Sequence, residues 1–248
     1  MVINGVDIIE YFNGAVEFLN YELPNPSYIR QITTTDNDRK IVNKRDSIGI
    51  HDMKVQLVLY ASKEDAYIIQ SDIASRLGDA IVSFGGSLSY RVQISAQGQP
   101  TNLTPTMWLY EFNLQILDKM GEEQVVTTTY STPIILINSG TYKTPIVIEV
   151  TPTTNITEFS VYGFGKHTSS YPLTITKASG DTYLPLNKKI IIDGETPRVL
   201  QETTTGLVNK FKDSNILSFP EILVGQTTLT FTSSGSIDVE IRYKPRYV

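Results

Sequence analysis

The chain has 248 residues, no cysteine, a net charge of −5 and 40% hydrophobic residues. That length suits two domains of roughly 120 residues each, with enough apolar content for real cores. The absence of cysteine excludes disulfide frameworks, thiol nucleophiles, thiolate zinc sites and iron–sulfur clusters. No window approaches the roughly 18 consecutive apolar residues of a membrane helix. Residues 1–12 hold neither a basic region nor a continuous apolar run, so they do not read as a secretion signal, and synthesis in the cytoplasm is expected. Charge is uneven. Residues 1–135 hold 10 Lys+Arg against 16 Asp+Glu, and residues 136–248 hold 11 against 10. An acidic first half argues against a nucleic-acid grip, which needs clustered cations to displace counterions.

In chain order, Ile3, Val6, Ile8 and Ile9 suggest a first strand with Asn4-Gly5 as a tight turn. Residues 28–50 are polar and punctuated, with Thr33 to Asp38 the plainest loop. The cleanest pattern of the first half follows. Met53, Val55, Leu57 and Leu59 share one strand face, with Lys54 and Gln56 on the other. Ser62 is a good N-cap, Glu64 and Asp65 suit the first turn, and Ala66, Ile69, Ile73 and Leu77 recur at helical spacing before Gly78. The exposed helix positions are expected to be Lys63, Asp65, Gln70, Asp72 and Arg76. Ala80, Val82 and Phe84 then alternate up to Gly85-Gly86, and Leu88, Tyr90, Val92 and Ile94 alternate after it, a hairpin.

A polar excursion at 95–106 precedes the best strand, with Trp108, Tyr110, Phe112, Leu114 and Ile116 on one face. Glu111, Asn113 and Gln115 lie on the other face, where Leu109 and Leu117 break the polarity. Thr127 to Pro133 reads as a linker, which puts a boundary near residue 135. The two expected domains are 1–135 and 136–248. The second shows the rhythm of a sandwich, with strands at Ile146–Val150, Glu158–Phe164, Leu173–Thr176, Lys189–Asp193, Thr196–Gln201, Thr227–Phe231 and Ser236–Tyr243. Asp193-Gly194 and Ser233-Ser234-Gly235 supply turns between neighbouring strands.

Local signatures of chemistry are missing. His51 and His167 belong to no metal-ligand spacing and read as surface or packing residues. Gly163-Phe164-Gly165-Lys166 lacks the spacing of a phosphate loop and reads as a hairpin bend. Asp36-Asn37-Asp38 opens like a calcium loop, yet Ile41 stands where glycine is needed and Ser47 where a bidentate Glu is needed. Glu122-Glu123 and Asp36/Asp38 are close acidic pairs in polar loops, where solvation is the default. Phe159, Tyr162, Phe164 and Tyr171 suggest a sugar-stacking platform, against which strand alternation already splits Phe159 from Tyr162. Asn102-Leu103-Thr104 and Asn155-Ile156-Thr157 match glycosylation acceptors, which mean little without a secretory signal. No enzyme, cofactor or metal site is expected.

The order of features resembles the distal tail proteins of long-tailed phages that infect Gram-positive bacteria. One part of the resemblance is the succession of strand Lys54–Tyr60, helix Ser62–Leu77, strand Ala80–Phe84, glycine turn, strand Leu88–Ile94 and long strand Trp108–Leu117. The other is Asn187 to Gly194, then Leu217 to Gly225 with Phe219-Pro220 inside it, Leu229-Thr230-Phe231, a glycine turn, and the tail Arg242 to Tyr247. The resemblance implies a mainly β fold, with an N-terminal sandwich-like domain bearing one helix and a hairpin, and a C-terminal galectin-like sandwich. It also implies a homohexameric ring at the virion tail tip that joins the tail tube protein to a tail-associated hub protein. DNA would pass through its lumen, and the second domain would anchor receptor-binding or baseplate proteins. The alternative is a carbohydrate-binding or adhesion module that recognises a cell-surface glycan.

Overall fold

The computed structural model describes residues 1–22, 52–129 and 133–247 with their side chains. Within 23–51 it describes only the backbone of the strands Tyr28–Ile29, Ile32–Thr34, Lys40–Val42 and Ser47–Ile48 and of His51. The chain divides into two compact units, Met1–Met120 and Gly121–Tyr247.

The first unit is an eight-stranded antiparallel sheet with a helix. His51–Tyr60 and Met107–Met120 lie side by side at its centre. Their alternation fixes the register, with Leu57 opposite Tyr110, Val55 opposite Phe112 and Met53 opposite Leu114. All six are buried, so a one-residue slip would turn the apolar set to solvent. Val16–Glu22 flanks His51–Tyr60, and Ser89–Gln97, Ala80–Ser83 and Val2–Ile3 follow on the other side.

The helix runs Lys63–Arg76 as its sequence predicts. Ser62 Oγ accepts from the Asp65 amide at 3.2 Å, and Ala66, Ile73 and Leu77 enter the core. The sheet curls: Val16–Glu22 and Ala80–Ser83 have three strands between them, yet Tyr21 and Phe84 stack at 4.3 Å and Phe18 meets Phe84 at 5.3 Å. Those aromatics fasten one side of the curled sheet to the other.

Three local expectations change. Ile8 and Ile9 do not extend the first strand, because Asp7 caps a one-turn helix, Ile8–Tyr11, by accepting from the Ile9 amide at 2.9 Å. Thr101–Thr104, inside the expected polar excursion, is a strand paired with the start of Met107–Met120. Tyr28–Ile29 pairs with Ser47–Ile48, and Ile32–Thr34 with Lys40–Val42. The pairs Tyr28↔Ile48 and Ile29↔Ser47 continue the register of Glu22↔Lys54. The described strands of this polar stretch therefore form two antiparallel pairs. Asp36, Asn37 and Asp38 lie outside the described residues.

The second unit is a sandwich of a seven-stranded and a four-stranded sheet around one apolar core. The larger runs Gln124–Thr129, Ile237–Tyr243, Thr144–Pro152, Ile190–Asp193, Arg198–Thr203 and Gly206–Asn209, with Glu221–Ile222 beside Thr144. The smaller runs Ile134–Asn138, Gly225–Ser233, Glu158–Tyr162 and Leu173–Thr176. The expected strands are present. Thr127, Thr128 and Thr129, expected in a linker, instead pair with Glu240, Val239 and Asp238, while Val126 packs against the core. That strand is why the division falls at Met120/Gly121 and not near 135.

The two halves of the C-terminal sequence pattern meet at one point. Asp193 Oδ1 accepts from the amides of Glu195 and Thr196, each at 2.9 Å, and Oδ2 accepts from Arg198 Nε at 3.1 Å and from the Thr196 hydroxyl. Beside this turn the Ile146 amide donates to the Pro220 carbonyl at 3.1 Å, and the Gly194 amide donates to the Ile146 carbonyl at 3.0 Å. The Asp-Gly and Phe-Pro segments thus form one junction, with Gly194 against the Pro220 carbonyl.

Candidate assembly surfaces

The residues weighed for chemistry fall into structural places. His167 is buried. Its Nε2 accepts from the amides of Leu217 at 3.1 Å and Ser218 at 3.4 Å, and its Nδ1 lies 3.3 Å from the Tyr171 carbonyl. The ring therefore staples the Gly163–Tyr171 turns to the 214–219 segment as a neutral imidazole with its proton on Nδ1. Burial pushes its pKa down. The unfolded chain then binds the extra proton at a higher pH than the folded chain does. The staple's contribution is complete above the ordinary histidine value and is lost as pH falls through it toward the folded value. Thermal unfolding midpoints should fall between about pH 7 and about pH 5 by more in the native chain than in His167→Gln. Parallel curves for the two would contradict this role.

The aromatic platform does not form. Phe159 and Phe164 are core residues, Tyr162 projects from the opposite strand face to Phe159, and Tyr171 is 70% exposed on its own turn. Glu122 and Glu123 are exposed. Asn102 donates to the Thr104 carbonyl at 2.9 Å within its hairpin, and Asn155 is exposed. The side chain of His51 lies outside the described residues. Among the described residues no three His, Asp or Glu side chains gather as metal ligands.

What the fold presents instead is surface. In the first unit, the sheet face turned away from the core is a polar ladder. Glu111 takes Lys54 at 3.0 Å and accepts from Gln56, Gln93 meets Gln115, and Arg91 chelates Asp79 at 2.9 and 2.7 Å. The Gln56 and Lys54 bonds hold the Glu111 carboxyl below the usual range, and Arg91 does the same for Asp79. The helix is less polar outside than its sequence suggested. Ile68 is 67% exposed, with Tyr67 beside it, while Gln70 reaches the Gly98 carbonyl and Arg76 lies over Tyr11 at 4.4 Å. In the second unit Ile134–Asn138 is an edge strand, with Ile135 and Ile137 directed outward at 56% and 64% exposure. An apolar edge that no second described strand covers invites a partner.

A mainly β, two-unit chain whose second unit is a sandwich is a fold shared with solved phage tail proteins. Over 100% of this chain and 98% of the other, it matches Dit of phage SPP1, described as a paradigm of hub adsorption apparatus in Gram-positive infecting phages, at a TM-score of 0.70 and 14% identity. It also matches a chain of the phage p2 baseplate in its activated conformation with strontium, at a TM-score of 0.61 and 10% identity over 96% and 93% of the two chains. The calcium form of that baseplate gives 0.56 at 10% identity over 93% and 91%. No family model matches the sequence, and no curated protein matches it. At these identities the likeness is one of fold: the chain has the Dit fold from end to end.

Proposed function

We propose that this chain is a structural, non-enzymatic component of a phage tail tip, a ring-forming distal tail protein. The observation that carries this reading is agreement of fold with SPP1 Dit over nearly the full length of both chains, across two units and with no large unmatched insertion. Fold alone does not confer function. The surfaces add to it: a ring needs head-to-tail interfaces, and these draw on strand edges and exposed apolar side chains such as Ile68, Ile135 and Ile137. In this reading the first unit, Met1–Met120, supplies the hexameric belt, and the second, Gly121–Tyr247, anchors neighbouring baseplate or receptor-binding proteins. Tail tube protein and tail-associated hub protein contact opposite faces of the ring.

The polar ladder of the first unit suits the wall of a channel. DNA adheres where Lys and Arg are free to displace its counterions. Here Lys54 is held by Glu111 and Arg91 by Asp79, so each cation is already neutralised. Converting Glu111 and Asp79 together to lysine releases both and adds two more, and DNA ejection from virions carrying that protein should slow while the particles still assemble. The slowing should fade as ionic strength rises over a Debye length of about 10 Å at 0.1 M salt. Ejection at the native rate would remove this face from the channel.

A further inference from the structure

We propose that the outer face of the larger sheet in the second unit holds a binding groove for an uncharged saccharide. This inference is independent of ring formation, since every residue it uses lies within the one unit. The groove is open to solvent, offers about 420 Å³ and is lined by Thr127, Thr129, Glu149, Thr151, Lys189, Asp238 and Glu240 together with Thr128 and Val239. That volume falls in the range of about 300–1,000 Å³ typical of small-molecule sites.

Sheet register builds it. Glu240 stands opposite both Thr127 and Glu149, and Asp238 opposite both Thr129 and Thr151, giving two parallel rungs of oxygen-bearing side chains. Glu149 forms the floor. It is only 4% exposed, and its two oxygens are taken by Lys189 at 2.5 Å and by Arg242. Asp238 uses Oδ1 to accept from the Thr129 hydroxyl at 3.0 Å, and the Thr127 and Thr151 hydroxyls make no hydrogen bond among the described residues.

Three features select the ligand class. The two nearby cations are paired with Glu149, Arg242 also reaching Glu240 at 3.5 Å, and the carboxylates of Glu149, Asp238 and Glu240 still outnumber them, which disfavours phosphates and other polyanions. No aromatic or large apolar side chain projects into the groove, which disfavours an apolar ligand or a hydrophobic peptide anchor. What remains is alternating hydroxyl donors, carboxylate acceptors and a lysine ammonium with donors to spare, which match a ligand whose hydroxyls each donate and accept.

The test is saturation-transfer NMR on the full chain with lactose, maltose and N,N′-diacetylchitobiose as separate probes and inorganic polyphosphate as the anionic control. At least one disaccharide should receive saturation, and polyphosphate should not. In Thr151→Val/Asp238→Asn the affinity should drop about tenfold or more, as expected for losing a charge-assisted hydrogen bond and a hydroxyl. Thr151→Val alone serves if the double variant unfolds. Loss of saccharide with particle mass unchanged separates this site from assembly. The proposal falls if no disaccharide binds, if binding survives the substitutions, or if only polyphosphate binds.

Discussion

Gly194→Ala should destabilise the second unit by on the order of 4 kcal/mol, enough to leave much of it unfolded at growth temperature. A Cβ at this position would overlap the Pro220 carbonyl oxygen and crowd the Ile146 carbonyl at 2.8 Å. Neither can retreat. Pro220 O accepts from the Ile146 amide, and Ile146 O accepts from the Gly194 amide, so moving either breaks a backbone hydrogen bond at the junction. Gly5 offers the contrast. It has φ +86 and open space around it, so alanine there costs only backbone strain, about 1 kcal/mol. Thermal unfolding of the two variants separates these costs. A Gly194→Ala midpoint within about 2 °C of the native chain would show that the junction yields.

Phe112→Ala should cost the first unit about 3–5 kcal/mol. The ring is 2% exposed, packs 5.1 Å from Tyr110, and sits on the central strand opposite Val55, where the sheet has no freedom to collapse into the void. The chain's single tryptophan, Trp108, lies on the same strand and face with its indole N–H donating to the Ala61 carbonyl at 3.1 Å. Its fluorescence therefore reports the first unit, while circular dichroism reports both. In urea the Phe112→Ala fluorescence midpoint should move to lower concentration, with a second dichroism transition left where it was. An unmoved fluorescence midpoint would contradict the packing described.

The parts of this fold legible in the sequence are those where one face is buried and the other wet. Met53 to Leu59, Trp108 to Ile116 and the capped helix between them carry their periods openly, and the Asn4-Gly5 turn takes the left-handed angles its residues favour, φ 49 and 86. Edge strands do not announce themselves. Gln124–Thr129 and Thr101–Thr104 are polar, pair on one side only, and owe their conformation to a distant partner, so they read as linker and excursion. The short pairs Tyr28–Ile29 with Ser47–Ile48 and Ile32–Thr34 with Lys40–Val42 likewise carry no alternation long enough to read. Ile68 was missed on a helix judged by its buried stripe, because an isolated apolar residue among polar ones carries no period.

The groove of the second unit could not be seen at all. Its rungs unite residues 87 to 113 positions apart, brought together by the pairing of Ile237–Tyr243 with both Gln124–Thr129 and Thr144–Pro152. The aromatic cluster at 159–171 was the visible signal for sugar binding, and the sandwich uses two of its rings as core. The Asp193-Gly194 and Phe219-Pro220 segments were legible as a recurring order of residues, and their physical reason, a shared junction at the Pro220 carbonyl, emerged from the fold.

Assembly into a ring is tested most directly by the mass of the purified particle. Light scattering coupled to size exclusion should give about six times the 27.7 kDa chain mass, or twice that if rings stack face to face, with a central hole visible by electron microscopy. A particle that remains at the mass of one chain as concentration is raised would contradict the ring.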